Sequence, residues 1–356
     1  MQLIHKPENI RYLTGFIGSF GIALHSDKKT FLITDGRYQE MAKKLCHQNI
    51  EIIIITDDLR TTLTNLFQKL KVQEISLETD FLSYQQVLGL RKNFPKIKFR
   101  TNKTTDPIAQ LRQLKSTAEI KLIKKAQEIN EQTINKIITT HLKQGVSERE
   151  IAILIERIGQ DLGAEKCSFA PIVAFGKNSA SPHYTPDTTK LQKGMTVLID
   201  MGMVYQGYMS DMTRTFFTTE PTAKQTEIYN LVLTAQSEAI KAIKPNIPAQ
   251  QIDIITRNII ASAGYGDYFT HSSGHGIGLE IHEAPSFSQK AKHLGTKQKL
   301  QPQMIMTIEP GIYLPNNFGV RIEDMVLITE TGNQNLTHFP KKIEEVVVKV
   351  WKDAII

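Results

Sequence analysis

Over residues 1–105, short apolar runs alternate with amphipathic segments. "GIALHS", "TFLITD", "IEIIIIT" and "EISLE" are dense in β-branched and apolar residues and predict strands. "RYQEMAKKLCHQ", "LRTTLTNLFQKL" and "YQQVLGLRKNF" space their apolar positions three to four apart and predict helices between those strands. Strand–helix alternation predicts an α/β unit with a partly parallel sheet. "RTNKTTDP" (100–107) is polar and ends in Asp-Pro, so it predicts a linker. The expected division is therefore 1–105 and 106–356.

Beyond the linker the pattern changes. "IAQLRQLKSTAEIKLIKKAQEINEQTINKIITTHL" reads as one long helical stretch that stops at "KQGVS". "SEREIAILIERIGQDLG" opens with the capping pair Ser147 and Glu150 and closes at Gly163. Strand-like runs follow ("APIVAFG", "MTVLIDMGMVY", "YMSDMTRTFF"), then two helices ("AKQTEIYNLVLTAQSEAIKAI", "PAQQIDIITRNIIASAG"). Strands return in "MIMTIEPGIYL", "GVRIEDMVLITE" and "KIEEVVVKV". Helices grouped around a largely antiparallel sheet predict an α+β second domain.

Composition narrows the function classes. A chain of 356 residues suits two domains. Its longest apolar run, "IEIIIIT", is far too short to span a bilayer, and the start shows no export-signal pattern. Cys46 and Cys167 have no metal-type spacing and read as free thiols of a reducing compartment, which predicts a cytoplasmic protein. The net charge of +7 lies almost wholly in residues 1–105, with 16 Lys and Arg against 10 Asp and Glu. It is scattered there without aromatic interleaving, so it predicts a solvated basic surface and no nucleic-acid partner.

The unusual feature is acidic residues inside apolar runs: Asp200 in "TVLIDMG", Glu309 in "MIMTIEPG" and Glu323 in "VRIEDMVLI". Burying an unpaired carboxylate costs several kcal/mol, roughly, so strand interiors rarely hold one. "VLIDMGMVYQGYMSDMTRT" reads as a hairpin turning at Gln206-Gly207. With that centre Asp200 faces Thr213 and Gly202 faces Asp211, and the two aspartates become diagonal neighbours about 7–8 Å apart on one face. A cation between them removes their repulsion; an Asp–Thr hydrogen bond across the hairpin is the structural alternative.

"HSSGHGIGLEIHEAP" (271–285) adds His271, His275, His282 and Glu283, in a stretch too rich in glycine to be helical. Together "LIDMGMVYQGYMSDMTRT", "HSSGHGIGLEIHEAP", "TIEPGIY" and "GVRIEDMVLIT" resemble the ordered blocks of the pita-bread metallopeptidases that cleave Xaa-Pro bonds, the aminopeptidase P and prolidase group. "NIRYLTGFIGSFGIAL" and "FLITDGRYQEMAKK" resemble that group's creatinase-like accessory domain, and "LRQLKSTAEIKLIKKA" its linker helix. The resemblance implies an α/β accessory domain before an α+β catalytic domain of pita-bread architecture. It implies five ligands, Asp200, Asp211, His275, Glu309 and Glu323, for two divalent ions, with Asp211 and Glu323 bridging. The resemblance implies Mn²⁺, with Co²⁺ possible and Zn²⁺ or Fe²⁺ less favoured, and mostly oxygen donors with one imidazole suit Mn²⁺ better than a thiolate-type zinc site would. It also implies that Glu309 moves a proton, and that His183 and His282 line the substrate side. Tyr313 lies near the site on the same ground. Arg321 alternates with Glu323 and can orient it or meet the substrate, a proline-containing peptide. A homodimer is implied as well.

Other classes fit less well. "GHGIG" lacks a Walker lysine, and neither a His-Glu-x-x-His zincin motif nor a Gly-x-Ser-x-Gly elbow is present. Methionine aminopeptidases share the implied fold but lack the N-terminal domain. Retention of all five ligand positions favours an enzyme over a peptide- or protein-binding module on the same fold. A prolidase must also hold the free carboxylate of a dipeptide, commonly with an added arginine. Between Glu283 and Glu309 this chain has lysines and no arginine. The sequence therefore favours an Xaa-Pro aminopeptidase, with the Xaa-Pro dipeptidase as the alternative. His271 and Glu283 read as supporting groups; His5, His25, His47, His141, His293 and His338 have no companions.

Overall fold

The computed structural model describes residues 1–101, 107–288 and 298–348; most of the expected linker, and His293, lie outside them. The chain forms two compact units, Met1–Arg112 and Gln113–Ile356.

The first unit is built on a six-stranded sheet. Its order is Ile50–Ile55, Lys29–Asp35, Ile22–Ser26, Gln2–Ile4, Glu74–Leu77, Lys98–Thr101. The two central pairings are antiparallel, and the three outer ones, joined by connections that carry helices, are parallel. The strands alternate between two covered faces, which explains their nearly unbroken apolar character. Leu3, Leu24, Phe31 and Ile33 pack on Leu63, Phe67 and Val87, while Ile4, Ala23 and Leu32 pack on Ile10, Ala42 and Ile108. Gln2–Ile4 and Lys98–Thr101 were not expected: three or four residues are too few to display a period of two. The helix Pro7–Thr14 was likewise unmarked. The unit also runs past residue 105, because Ile108 joins its core and Arg112 donates to Asn9 Oδ1 at 2.8 Å.

The second unit corrects the single helix expected over 108–142. Pro107–Arg112 ends before it, and a new helix, Thr117–Lys136, starts from Ser116. The Ser116 hydroxyl accepts from Glu119 N, and Glu119 returns a bond to Ser116 N. A π-helical turn, Ile137–His141, closes it. Ser147 and Glu150 cap the helix Glu148–Asp161 in the expected reciprocal way. The helices Ala223–Ala242 and Gln250–Ser262 complete the set that packs on the sheets.

The strands form small antiparallel sheets. Ile172–Phe175, Thr196–Met201 and Met212–Phe217 make one. Glu283–Ser286, His275–Gly276, Ile305–Ile308, Asp324–Ile328 and Asn333–Asn335 make another, and Gly311–Leu314 pairs with Phe318–Arg321. The hairpin register is the expected one: Thr213 pairs with Asp200, and Gln206 and Gly207 turn with φ of 45° and 78°. Val197, Ile199 and Met201 therefore face the helices while Asp200 and Thr213 face away from them. Glu309 and Glu323 do not sit within strands as expected. Each lies at a joint where one strand ends before the next begins in a different sheet.

Where the hairpin widens, a Cβ on Gly202 would lie 1.9 Å from the Ser210 carbonyl oxygen. We predict that Gly202→Ala forces these strands apart, lowering stability by about 1–3 kcal/mol in urea titrations. It should also weaken divalent-metal binding, since Asp200 and Asp211 lie on the two strands being separated.

Candidate metal centre and active site

The widened hairpin, the two strand joints and the glycine-rich stretch converge on one cavity of about 680 Å³. Its lining includes Asp200, Asp211, His275, Glu309 and Glu323, together with His183, His271, His282 and Arg321. Ligand atoms of Asp211, His275 and Glu323 all lie within 4.8 Å of one another. His275 Nε2 is 3.8 Å from Asp211 and 3.6 Å from Glu309. Asp200 enters from the neighbouring strand with one oxygen 2.6 Å from Arg321.

These atoms fit divalent cations. Asp200 Oδ1, Asp211 Oδ1 and Glu323 Oε1 are buried and accept no hydrogen bond among the described residues. His275 Nδ1 lies 3.0 Å from the Gly276 carbonyl oxygen, which can only accept; the proton therefore sits on Nδ1, and Nε2 turns its lone pair to the carboxylates. A lone pair and orphaned carboxylate oxygens facing each other repel unless a cation lies among them. The electrostatics agree. Burial and the mutual repulsion of the carboxylates hold Asp211 and Glu323 well above the usual carboxylate range. Burial pushes Glu309 up to about 8 and His275 down to about 3. Asp200, Asp211, His275, Glu309 and Glu323 are thus the residues that would hold metal.

The remaining expected residues take distinct places. His183 and His282 are exposed at the cavity, and the His282 ring stands edge-on to His275 with centroids 4.3 Å apart. His271 Nδ1 donates to the Ser272 carbonyl at 2.8 Å, so Nε2 accepts from the Tyr313 hydroxyl at 2.7 Å. That hydroxyl in turn accepts from Arg321 at 2.7 Å. Tyr313 therefore lies behind the cavity wall and braces the site. Arg321 and Glu323 do not share a strand face, because the chain changes sheets between them. The link is Thr213, whose hydroxyl donates to Glu323 at 2.7 Å and accepts from Arg321 Nε at 3.0 Å. Glu283 forms a buried, hydrogen-bonded ion pair with Lys115 at 3.0 Å, which fits the supporting role expected of it.

Several bracing groups carried no sequence signal beyond their type. Asp253, on Gln250–Ser262, accepts from Ser273 N and Oγ and from Arg257. Arg257 donates to the carbonyls of Phe269 and His271. Glu309 N donates to Ser273 O at 2.9 Å, so one network ties the stretch before His275 to the Glu309 joint. Arg214 is fully buried, pairs with Asp324 and donates to the Glu323 carbonyl. An Arg and Asp four apart on a helix, and an Asp beside Glu323, were the available clues.

Comparison with known proteins places this constellation. The family model for metallopeptidase family M24 matches residues 121–330. The chain belongs to that family. The creatinase/prolidase N-terminal domain matches residues 1–114. The chain is 39% identical over 342 residues to the Xaa-Pro dipeptidase of Pyrococcus furiosus, covering 96% of this chain and 94% of that one. Among solved structures, the Xaa-Pro dipeptidase from Bacillus anthracis superposes with a TM-score of 0.90 at 36% identity, covering 96% and 94% of the two chains. The X-Pro aminopeptidase from Thermotoga maritima gives 0.87 at 35%, covering 96% of each. The second unit accordingly has the pita-bread architecture, and the chain is a metal-dependent peptidase using divalent ions.

Two predictions follow from the geometry of this M24 site. Thr213→Val keeps the side-chain shape but removes the hydroxyl between Glu323 and Arg321; calorimetry should show metal affinity reduced about 10–100-fold. The second concerns pH. Glu309, Asp211 and Glu323 have folded-state pKa values raised above those of the unfolded chain. Without metal, the stability they contribute is full below the usual carboxylate range and is lost as pH rises, for Glu309 through about 8. The depressed His271 and His275 act in the opposite sense only below about pH 6.5. Chelated protein should therefore lose urea stability between about pH 6.5 and 8. A flat or rising midpoint would contradict this.

Proposed function

We propose that this M24 peptidase hydrolyses the Xaa-Pro bond of dipeptides. The observation that carries it is the convergence of four carboxylates and one proton-free imidazole nitrogen on a cavity whose exposed edge bears His183 and His282. The choice of dipeptides rests on relatives of nearly the same length named as Xaa-Pro dipeptidases. They outweigh the single arginine missing between Glu283 and Glu309, on which the sequence had favoured an aminopeptidase. That second reading keeps the support of the Thermotoga maritima structure, named as an X-Pro aminopeptidase.

Asp200, Asp211, His275, Glu309 and Glu323 would hold divalent ions, of which Mn²⁺ suits the oxygen-rich set best, and these would supply Lewis acidity and acidify a bound water. Glu309, whose carboxylate lies 3.6 Å from His275 Nε2 in the same cavity, can accept a proton from the attacking water and return it to the departing proline nitrogen. His282 is depressed mainly by burial and stays neutral, so its N–H can donate to the substrate without adding charge. A peptide bond to proline has no N–H, so recognition falls to the ring and the flanking carbonyls, which imidazole donors suit. Arg321, committed to Asp200, Tyr313 and Thr213, orients the wall.

The test compares Ala-Pro with Ala-Pro-Gly after loading with Mn²⁺, Co²⁺ or Zn²⁺. Cleavage of the dipeptide with little cleavage of the tripeptide is expected. Efficient tripeptide cleavage selects the aminopeptidase, and no cleavage of either peptide under any metal rejects both readings. Asp211→Asn and Glu323→Gln should each lower kcat at least about a thousandfold with circular dichroism unchanged.

A further inference from the structure

A buried acid distant from the carboxylate cluster has no role in the chemistry above. Glu148, the first residue of the helix Glu148–Asp161, is 0% exposed. Its carboxylate accepts four hydrogen bonds, all from the segment 175–187 that carries His183. Oε1 accepts from Phe175 N at 2.6 Å and Asn178 Nδ2 at 2.9 Å. Oε2 accepts from the Tyr184 hydroxyl at 2.9 Å and Asp187 N at 3.2 Å. No cation takes part in these four bonds; neutral donors and the positive end of the helix offset part of the cost of burial, which still holds Glu148 above the usual carboxylate range.

Other bonds also fasten this segment. Glu148 N donates to Thr189 O, and Arg149 N to Asp187 O. On the opposite side Gly319 N donates to Ser179 Oγ, and Arg321 donates to Pro182 O. The carboxylate adds restraint at both ends of the segment, Phe175 and Asp187, and between them at Asn178 and at Tyr184, the residue after His183. His183 itself is exposed, and no hydrogen bond among the described residues holds its ring. Its place at the cavity is therefore set by what holds its neighbours.

We infer that Glu148 is a positioning residue for His183, acting through the Tyr184 hydroxyl and Asn178 to hold that imidazole over the cavity. The inference rests on the substrate-side role of His183 proposed above. Small displacements of a reacting or binding group cost up to about a hundredfold in rate, which sets the size of the expected effect.

The experiment is a double-mutant cycle on the metal-loaded full chain with Ala-Pro as substrate. Tyr184→Phe and Glu148→Gln should each lower kcat/KM between about tenfold and a hundredfold. In a His183→Ala background the same changes should alter kcat/KM by less than about twofold, because the group they position is gone. Calorimetric Mn²⁺ affinity of Tyr184→Phe should match the parent, separating loop positioning from damage to the carboxylate cluster. The inference is overturned if the losses persist undiminished without His183, or if Tyr184→Phe keeps full activity. Tyr184→Phe alone decides the matter should Glu148→Gln fail to fold. If His183→Ala itself retains full activity, the reading of His183 fails, and the inference with it.

Discussion

Four carboxylates facing one cavity against a single nearby guanidinium set the conditions that the rest of the second unit meets. Asp200, Asp211, Glu309 and Glu323 repel each other more strongly in a buried wall than in water, and Arg321 neutralises only one charge. A fold can hold such a group only where the surrounding elements are too well fixed to relax apart. The helix-facing residues of the central sheet supply that stiffness: Val197, Ile199, Met201 and Phe216 are all 0% exposed and belong to one continuous core. The acids occupy the opposite face of that sheet and the joints beside it. The mutual repulsion of the acids is thus opposed by apolar packing one layer away.

Fixing the acids also requires their second oxygens and backbones to be held. Glu323 is gripped at both levels: Thr213 donates to its carboxylate, and Arg214 donates to its carbonyl while pairing with Asp324. Asp324 also accepts from Lys341 and Asn335, so the acid beside the ligand is compensated and stays below the usual carboxylate range. Neighbouring residues in "IED" therefore have opposite electrostatics. Glu323, with no cation of its own, is left to bind one, and Asp324, with two cations, is structural. Which acid is available to metal follows from the cationic partners rather than from burial, since both are buried.

Much of this was visible in the chain. Carboxylates interrupting apolar runs marked the site, and Gln206-Gly207 fixed the register that pairs Asp200 with Thr213. The Asp–Thr hydrogen bond weighed as an alternative is absent from the described bonds of Thr213, whose hydroxyl donates to Glu323 instead. What stayed hidden was non-local. Nothing near Lys115 points to Glu283, 168 residues away, yet that pair accompanies the break in the stretch read as one helix. The apolar period continues through the break, so periodicity could not show it. Strand ends at Glu309 and Glu323 were hidden because β-like composition continues while the chain passes between sheets. The missing arginine carries little weight for a different reason: an absence in one segment says nothing about donors that other segments can supply.

The histidines of "HSSGHGIGLEIHEAP" show how one short stretch serves three purposes. Each is held neutral chiefly by burial, but the backbone decides what the neutral ring offers. The Ser272 carbonyl takes the Nδ1 proton of His271, so its Nε2 accepts from Tyr313 and closes a chain to Arg321 and Asp200. The Gly276 carbonyl takes the Nδ1 proton of His275, so its Nε2 faces the carboxylates as a donor of electrons to a cation. His282 has its ring against His275 and its edge exposed. Glycine makes the close approach possible: a Cβ on Gly274 would lie 2.0 Å from the Thr307 carbonyl oxygen, and its φ of 150° is one that other residues rarely adopt. On the proposed reading, the backbone around the imidazoles separates brace, ligand and substrate contact, with no change in the side chain used.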